Sequence, residues 1–311
     1  MKTKVIYTIM MLLIATAVTA QHQAMFTQYM FNTTAINPAA VGSHETLSLT
    51  LLGRQQWVGI DGAPSTQTMA LHAPLNQDKL AAGLLVMRDK IGVTSQTVVF
   101  GQGAYRILFP NATLSMGLQV GFSAYASDFL QLDPNNPASD PSINSNVSNS
   151  FLPNLGGGLY YYTKRFYAGI SSPLLLNNFV DDQIAGDISI DNSRPDIERH
   201  YFGMMGYVFD ISPSVKFRPS TLIKLVDGAP LEFDINANFL FDEVLWLGVS
   251  YRSFDSVSGL IELQVGNQLK LGYAYDYTIS DLNQFTSGTH EIMINYRFAF
   301  KKDRIITPRY F

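Results

Sequence analysis

A chain of 311 residues with no cysteine, 15% charged residues and a formal net charge of −4 excludes several classes at once. A disulfide framework, a thiolate nucleophile, a zinc ribbon and a lipid-modified N-terminal cysteine all fall with the missing cysteine, and the charge rules out a nucleic-acid binder working through a general basic field. Charge content lies well below the roughly 25% of soluble domains, and the composition is not collagenous, coiled-coil or disordered; 20 Phe and 16 Tyr make the chain rich in rings.

The first element, residues 1–20, reads as a signal peptide. Lys2 and Lys4 precede a mostly apolar stretch from Val5 to Ala17, and Val18-Thr19-Ala20 supplies the small residue before a cleavage site. The mature chain is expected to start at Gln21, outside the cytoplasm. After Ala20 no stretch approaches the ~18 apolar residues of a membrane-spanning helix. Residues 21–44 follow as an arm carrying Met25, Phe26, Tyr29, Met30 and Phe31.

From about residue 45 to 300 the dominant period is two. Leu114, Met116, Leu118, Val120, Phe122 and Ala124 alternate with Ser115, Gly117, Gln119, Gly121 and Ser123. The same pattern sets Phe233, Ile235, Ala237 and Phe239 against Glu232, Asp234, Asn236 and Asn238, and Ile292, Ile294, Tyr296 and Phe298 against Glu291, Asn295 and Arg297. Fourteen such segments can be placed: 45–55, 65–73, 79–89, 93–108, 112–127, 152–163, 166–175, 197–210, 213–226, 229–241, 244–253, 257–266, 269–280 and 287–300. Many run to 10 residues or more, as membrane-spanning strands need, where globular strands average about 5 or 6. Their polar faces carry Lys216, Arg218, Glu232, Asp234, Glu262 and Lys270, which a sandwich core would reject and a polar lumen accepts.

Connections alternate between tight ones (Pro110-Asn111, Lys164-Arg165, Ile211-Ser212, Asp242-Glu243) and mostly long ones (56–64, 128–151, 176–196, 281–286). Short periplasmic turns and longer external loops mark outer-membrane barrels. The fold expected is therefore all-β: a transmembrane antiparallel β-barrel of about 14 strands in the outer membrane, facing the lipid bilayer, with both termini periplasmic. A lumen that wide is not filled by wall side chains alone, so the arm is expected to fold into or across the periplasmic mouth, as a lumenal or periplasmic arm. Residues 301–311, with Lys301, Lys302, Arg304 and Arg309, form a short basic periplasmic tail.

The residues offer little chemistry. Five scattered histidines make no His-Glu-x-x-His motif, and no Gly-x-Ser-x-Gly elbow occurs. Gly101-Gln102-Gly103 and Gly156-Gly157-Gly158 fall inside strands, where glycine permits bending or close backbone approach. The acidic loops Asp133–Asp140 and Asp181–Asp196 lack calcium-loop spacing. His290 and Glu291, neighbours on a strand, point to opposite faces and cannot readily act as a pair. Asp61-Gly62-Ala63-Pro64 recurs at Asp227-Gly228-Ala229-Pro230, which turn chemistry explains. No enzyme, cofactor or metal is expected.

Several blocks together resemble the PorP/SprF family of outer-membrane proteins of the type IX secretion system. They are Gln28-Tyr29-Met30-Phe31-Asn32 with Ile36-Asn37-Pro38-Ala39; Arg54-Gln55-Gln56-Trp57-Val58-Gly59 with Asp61-Gly62-Ala63-Pro64 and Thr66-Gln67-Thr68; Asp89-Lys90-Ile91-Gly92; Pro153-Asn154-Leu155-Gly156 through Tyr167-Ala168-Gly169-Ile170-Ser171; and Gly272-Tyr273-Ala274-Tyr275-Asp276 with Gly288-Thr289-His290-Glu291-Ile292. The resemblance implies a barrel that takes part in protein export, in some relatives in gliding. Such a barrel receives the C-terminal sorting domain of a secreted adhesin and retains it at the surface. It also implies other secretion components as partners, among them a periplasmic peptidoglycan-binding protein.

Arg54, Gln55, Trp57, Asp61 and Gly62 are the partner-binding candidates, because they lie in and beside the first external connection and pair a Trp with an Arg, as interface anchors do. The same loop could equally fold inward and stabilise its own barrel. Tyr275, Asp276, His290 and Glu291 are expected to form a local polar network near the external strand ends. A solute pore or hydrophobic-compound transporter is the alternative, since Lys216 and Arg218 near Glu232 and Asp234 suit a pore lining as well as a salt-bridged interior.

Overall fold

The computed structural model describes residues 25–75, 78–129, 147–176, 199–226 and 229–298, with 147–151 described by their backbone. The strands are β1 (Leu47–Gln55), β2 (Ser65–Leu75), β3 (Leu80–Ile91), β4 (Thr94–Leu108), β5 (Ala112–Ser127), β6 (Val147–Thr163), β7 (Phe166–Ser172), β8 (His200–Tyr207), β9 (Phe209–Ser212), β10 (Val215–Val226), β11 (Glu232–Phe241), β12 (Leu245–Arg252), β13 (Ser256–Val265), β14 (Leu269–Thr278) and β15 (Thr289–Phe298). Neighbouring strands pair antiparallel all the way round, and β15 pairs with β1 to close the sheet. β8 and β9 both lie on β10 and form one stave interrupted at Val208, whose N–H donates to the Arg165 carbonyl at 2.7 Å. The result is a closed barrel of fourteen staves. Closure is what lets a sheet cross a bilayer, because it leaves no unpaired backbone edge in hydrocarbon.

Every expected segment is present, with shifted ends. The turn expected at Ile211-Ser212 is at Pro213-Ser214, because residues 209–212 still pair with β10. β6 begins at Val147, well before residue 152, and β7 stops at Ser172 where the chain leaves the wall at Pro173. The signal peptide, the first residues of the arm, both acidic loops, Asp227 and Gly228 of the repeat, and the basic tail lie outside the described residues.

Alternation sorts the side chains inside out. On β5, Leu118 and Val120 are about 70% exposed on the outer wall (71% and 69%), while Ser115, Gln119 and Ser123 are buried. On β11, Ile235 and Phe239 face outward, and Asp234, Asn236 and Asn238 are buried. Apolar side chains toward lipid and polar ones toward a lumen are what a bilayer-facing barrel requires. The longer connections gather at one end, here called the loop end: 56–64, 173–199 and 279–288 among them. The tight ones, such as 109–111, 164–165 and 242–244, gather at the other, the turn end. With an even number of staves, the start of β1 and the end of β15 share the turn end.

The arm lies inside the barrel. Phe26 to Val41 is almost wholly buried and includes two short 3-10 turns, η1 (Thr33–Ala35) and η2 (Pro38–Ala40). Phe26, Tyr29, Met30, Phe31, Ile36, Ala39 and Ala40 form one cluster with the inward Leu52, Phe100, Tyr160, Tyr167, Trp246 and Met293. The apolar core of the molecule is thus the packing of this plug against the lumen wall.

Candidate functional site: the plugged lumen and its loop-end clasp

Three successive plug residues are gripped where β12, β14, β15 and β1 reach the loop end. Glu291, third residue of β15, accepts the backbone N–H of Thr27 at 2.9 Å and of Gln28 at 2.8 Å. Asp276, third from the end of β14, accepts the Thr27 hydroxyl at 2.8 Å. Arg54 stands between the two carboxylates, its Nη1 2.7 Å from Asp276 Oδ2 and 3.1 Å from Glu291 Oε2, and reaches Thr27 Oγ1 at 3.1 Å. On the other side Arg252, last residue of β12, donates to Asp234 at 3.0 Å and to the Phe26 carbonyl at 3.3 Å. All five charged side chains are buried. Buried charges are costly unless paired and fully hydrogen-bonded, and here the plug backbone satisfies part of that requirement.

Deeper contacts are amide-rich and aromatic. Tyr29 accepts a hydrogen bond from Asn236 at 2.9 Å. The Phe31 ring meets the Arg218 guanidinium at 4.6 Å, and Arg218 also lies 4.2 Å from the Trp246 ring, which meets Phe31 edge to face at 6.1 Å. Cation–π contacts of this kind strengthen when desolvated. Gln102 donates to the Thr34 carbonyl at 2.9 Å, Ser171 to that of Ile36 at 3.0 Å, and Asn37 to the Leu159 carbonyl at 3.0 Å. At the turn end, Gly42 N–H donates to His72 Nδ1 at 3.1 Å. Glycine lets wall and plug meet: a Cβ at Gly117 would strike the Ala39 backbone, and one at Gly158 would strike the Asn37 amide.

The five partner-binding candidates are divided. Arg54 points into the lumen and belongs to the clasp. Gln55, next along β1, is exposed on the outer wall. Trp57 is half-buried at φ 45°, with its N–H on Thr289 Oγ1 at 3.1 Å, while Asp61 and Gly62 are exposed. Their connection is tied to the one before β15 by Val58 N–H to the Gly288 carbonyl (2.8 Å) and Ser287 N–H to the Val58 carbonyl (2.7 Å). Gly62, at φ 75°, accepts from Gly92 N–H at 2.8 Å, an approach that favours glycine. The four network residues separate by face. Asp276 and Glu291 turn inward, whereas His290 bonds the Tyr273 hydroxyl at 2.8 Å, and Tyr275 donates to the Ser287 carbonyl at 2.8 Å.

Lys216 and Arg218 do not pair with Glu232 and Asp234 as neighbours. Lys224 takes Glu232 at 3.2 Å, Arg252 takes Asp234, and Lys216 takes Asp210 at 3.2 Å and Glu243 at 3.5 Å. Of the clasp, sequence reasoning missed Thr27 and Arg252. A usable signal was present: no Asp, Glu, Lys or Arg occurs between Lys4 and Glu45. An uncharged run rich in rings, amides and hydroxyls suits a lumen whose walls carry the charges. Among the described residues no group of three or more His, Asp or Glu side chains is arranged to hold a metal ion.

Residues 18–296 match the family described as type IX secretion system membrane protein PorP/SprF. The chain belongs to that family. No curated protein matches the sequence significantly. Among solved structures the barrel is similar to the CymD monoaromatic hydrocarbon channel, at 11% identity and a TM-score of 0.53, with 88% of this chain and 93% of that one covered. It is also similar to the outer membrane protein Omp33 of Acinetobacter baumannii (10% identity, TM-score 0.46, 82% and 98% covered) and to a Pseudomonas aeruginosa FadL homologue (13%, 0.45, 86% and 94%). The likeness to the CymD channel, at 11% identity, speaks to fold alone. Family and fold together make this PorP/SprF protein an outer-membrane β-barrel of the type IX secretion system.

Proposed function

We propose that this PorP/SprF barrel holds an exported protein, the C-terminal sorting domain of an adhesin, at the cell surface through its loop end. The observation that carries the reading is the plug. A lumen occupied from Phe26 to Gly42 by buried, hydrogen-bonded chain is poorly suited to passing solutes and well suited to being a rigid base for loops. The tied connections 56–64 and 279–288 supply such loops, with Trp57, Asp61 and Gly62 on the first and Leu282 and Phe285 exposed on the second. In this orientation the loop end faces outward and the turn end faces the periplasm, as in other outer-membrane barrels, and a peptidoglycan-binding partner would meet the turn end.

One observation favours the transporter alternative: an apolar concavity of about 1600 Å³. It is lined mainly by outward residues such as Leu118, Val120, Leu159 and Ile170, which face lipid, together with the inward Gln102, Gln119 and Ser171. The test is surface retention of exported proteins in cells lacking the barrel. Loss of at least one adhesin from the surface is expected, and restoration by the intact gene. Retention of every exported protein would sink the reading.

A further inference from the structure

The lipid face of the wall is hollowed where glycines leave it without side chains. Gly103 on β4, Leu118 on β5 and Gly157 on β6 stand opposite one another in register, and Gly101 faces Val120 one step along. These residues alternate onto the outer wall. Leu118 is 71% exposed there because both its cross-strand neighbours lack side chains. On the inner face of the same strands, Gly117 admits the Ala39 backbone and Gly158 the Asn37 amide. Across Gly156, Gly157 and Gly158, β6 carries no side chain on either face. Glycine weakens a strand interior and often marks a close approach. Here it brings the wall onto the plug from within and leaves the concavity of about 1600 Å³ outside.

We propose that this hollow is a phospholipid-binding site, with acyl chains on Gly101, Gly103 and Gly157 beside the Leu118 ridge and the phosphate headgroup at the turn-end rim. The wall faces the bilayer, so what reaches the hollow is what the bilayer holds. The inward side chains that border it are engaged in the lumen: Gln102 on the Thr34 carbonyl, Gln119 on the Pro173 carbonyl and Ser171 on the Ile36 carbonyl, at 2.9, 2.8 and 3.0 Å. The strands beneath it are each paired on both sides, so no edge is offered on which another chain could add a strand. Gly103, Leu118 and Gly157 all lie closer to the turn end of their strands than to the loop end. That rim carries cations. Lys79, exposed, precedes Leu80 of the hollow, and Lys164, exposed, follows the end of β6. Arg165 beside it is held by Asp210, and Asp78 is the acid next to Lys79. Lysines at such a rim attract anionic headgroups. Occupation by acyl chains follows from the lipid-facing wall alone; the choice of phospholipid rests on the orientation proposed above, in which the turn end meets the periplasmic leaflet.

Barrels purified from outer membranes and exchanged into detergent are expected to carry a phospholipid in native mass spectra. Gly103→Leu with Gly157→Leu fills the floor from outside, where a Cβ makes only ordinary contacts, and is expected to lower that occupancy several-fold. Gly259→Leu, at an outward glycine of β13 with open space around it, is expected to leave it unchanged. Intact barrels that carry no lipid, or filled ones that carry as much, would overturn the site. Lys79→Gln with Lys164→Gln is expected to lower occupancy as well, and no change would overturn the headgroup's place. Lipid A in place of phospholipid, recognised by its mass, would overturn the leaflet and the orientation, whereas the anchoring of exported proteins is read separately by their surface retention. Should the filled variant fail to reach the heat-modifiable folded form, the intact barrel in phosphatidylethanolamine vesicles doped with a phospholipid bearing an acyl-chain diazirine decides the point. Cross-links on Leu118 and Leu159 are expected to exceed those on the outward Val249 and Ile261 of the opposite wall several-fold. Even labelling of both walls would overturn the site.

Discussion

Arg54 shows how far a residue's meaning depends on which way its strand turns it. Beside Trp57 in the sequence it has the composition of an interface anchor; in the barrel it is a buried bridge between Asp276 and Glu291. Removing one partner of a buried charge pair typically costs about 3–5 kcal/mol. Arg54→Ala is therefore expected to lower the thermal unfolding temperature of the detergent-solubilised barrel markedly, and Glu291→Gln to do so less, since the amide keeps one acceptor for the plug. A shift for Arg54→Ala equivalent to under about 0.5 kcal/mol, the scale of an ordinary surface substitution, would mean the clasp is solvated. Trp57 behaves oppositely. Its fixed contact is made by its backbone, so Trp57→Ala is expected to leave unfolding nearly unchanged while reducing retention of the exported protein several-fold. Equal losses in both measurements would assign Trp57 to the barrel's own stability.

At the level of elements, the wall and the arm's place in the lumen were legible, and the arm's path through it was not. The alternation of Leu118 with Gln119, or of Ile235 with Asn236, is a local signal, and it located all fourteen staves and the faces they turn to lipid. The break at Val208 was not legible, because it depends on an N–H captured by the carbonyl of Arg165, in the turn just before β7. Nor was the path of the arm. Thr27 finds Asp276 across 249 positions and Asn37 finds Leu159 across 122, and no short-range pattern encodes such pairings. What the arm's residues did announce was a refuge for Phe26, Tyr29 and Phe31. Glycines in the wall mark where that refuge is tight. Gly117→Val is expected to force η2 away from β5 at a cost of about 1–3 kcal/mol, as overpacking does. Hydrogen exchange at Ala39 and Ala40 would report it, with protection unchanged if the plug simply shifts.

For the molecule as a whole, the plug bears on whether the barrel can conduct. In planar bilayers the intact protein is expected to show no large, steady conductance. A variant lacking residues 25–43 that still reaches the heat-modifiable folded form is expected to show one. A wide open state in the intact protein would mean the plug leaves readily, and the scaffold reading would lose its main support.

The seam where β15 meets β1 carries a consequence for how the protein is made. Arg54 and Glu291, the two sides of that seam, face each other in register, and the same pair grips Thr27 and Gln28. The arm is translated first and its receptor last, so the chain must keep residues 26–28 waiting until β14 and β15 arrive. Zipping the seam and locking its passenger are then one event. Glu291→Ala would register chiefly as barrels that insert late or with the arm left outside.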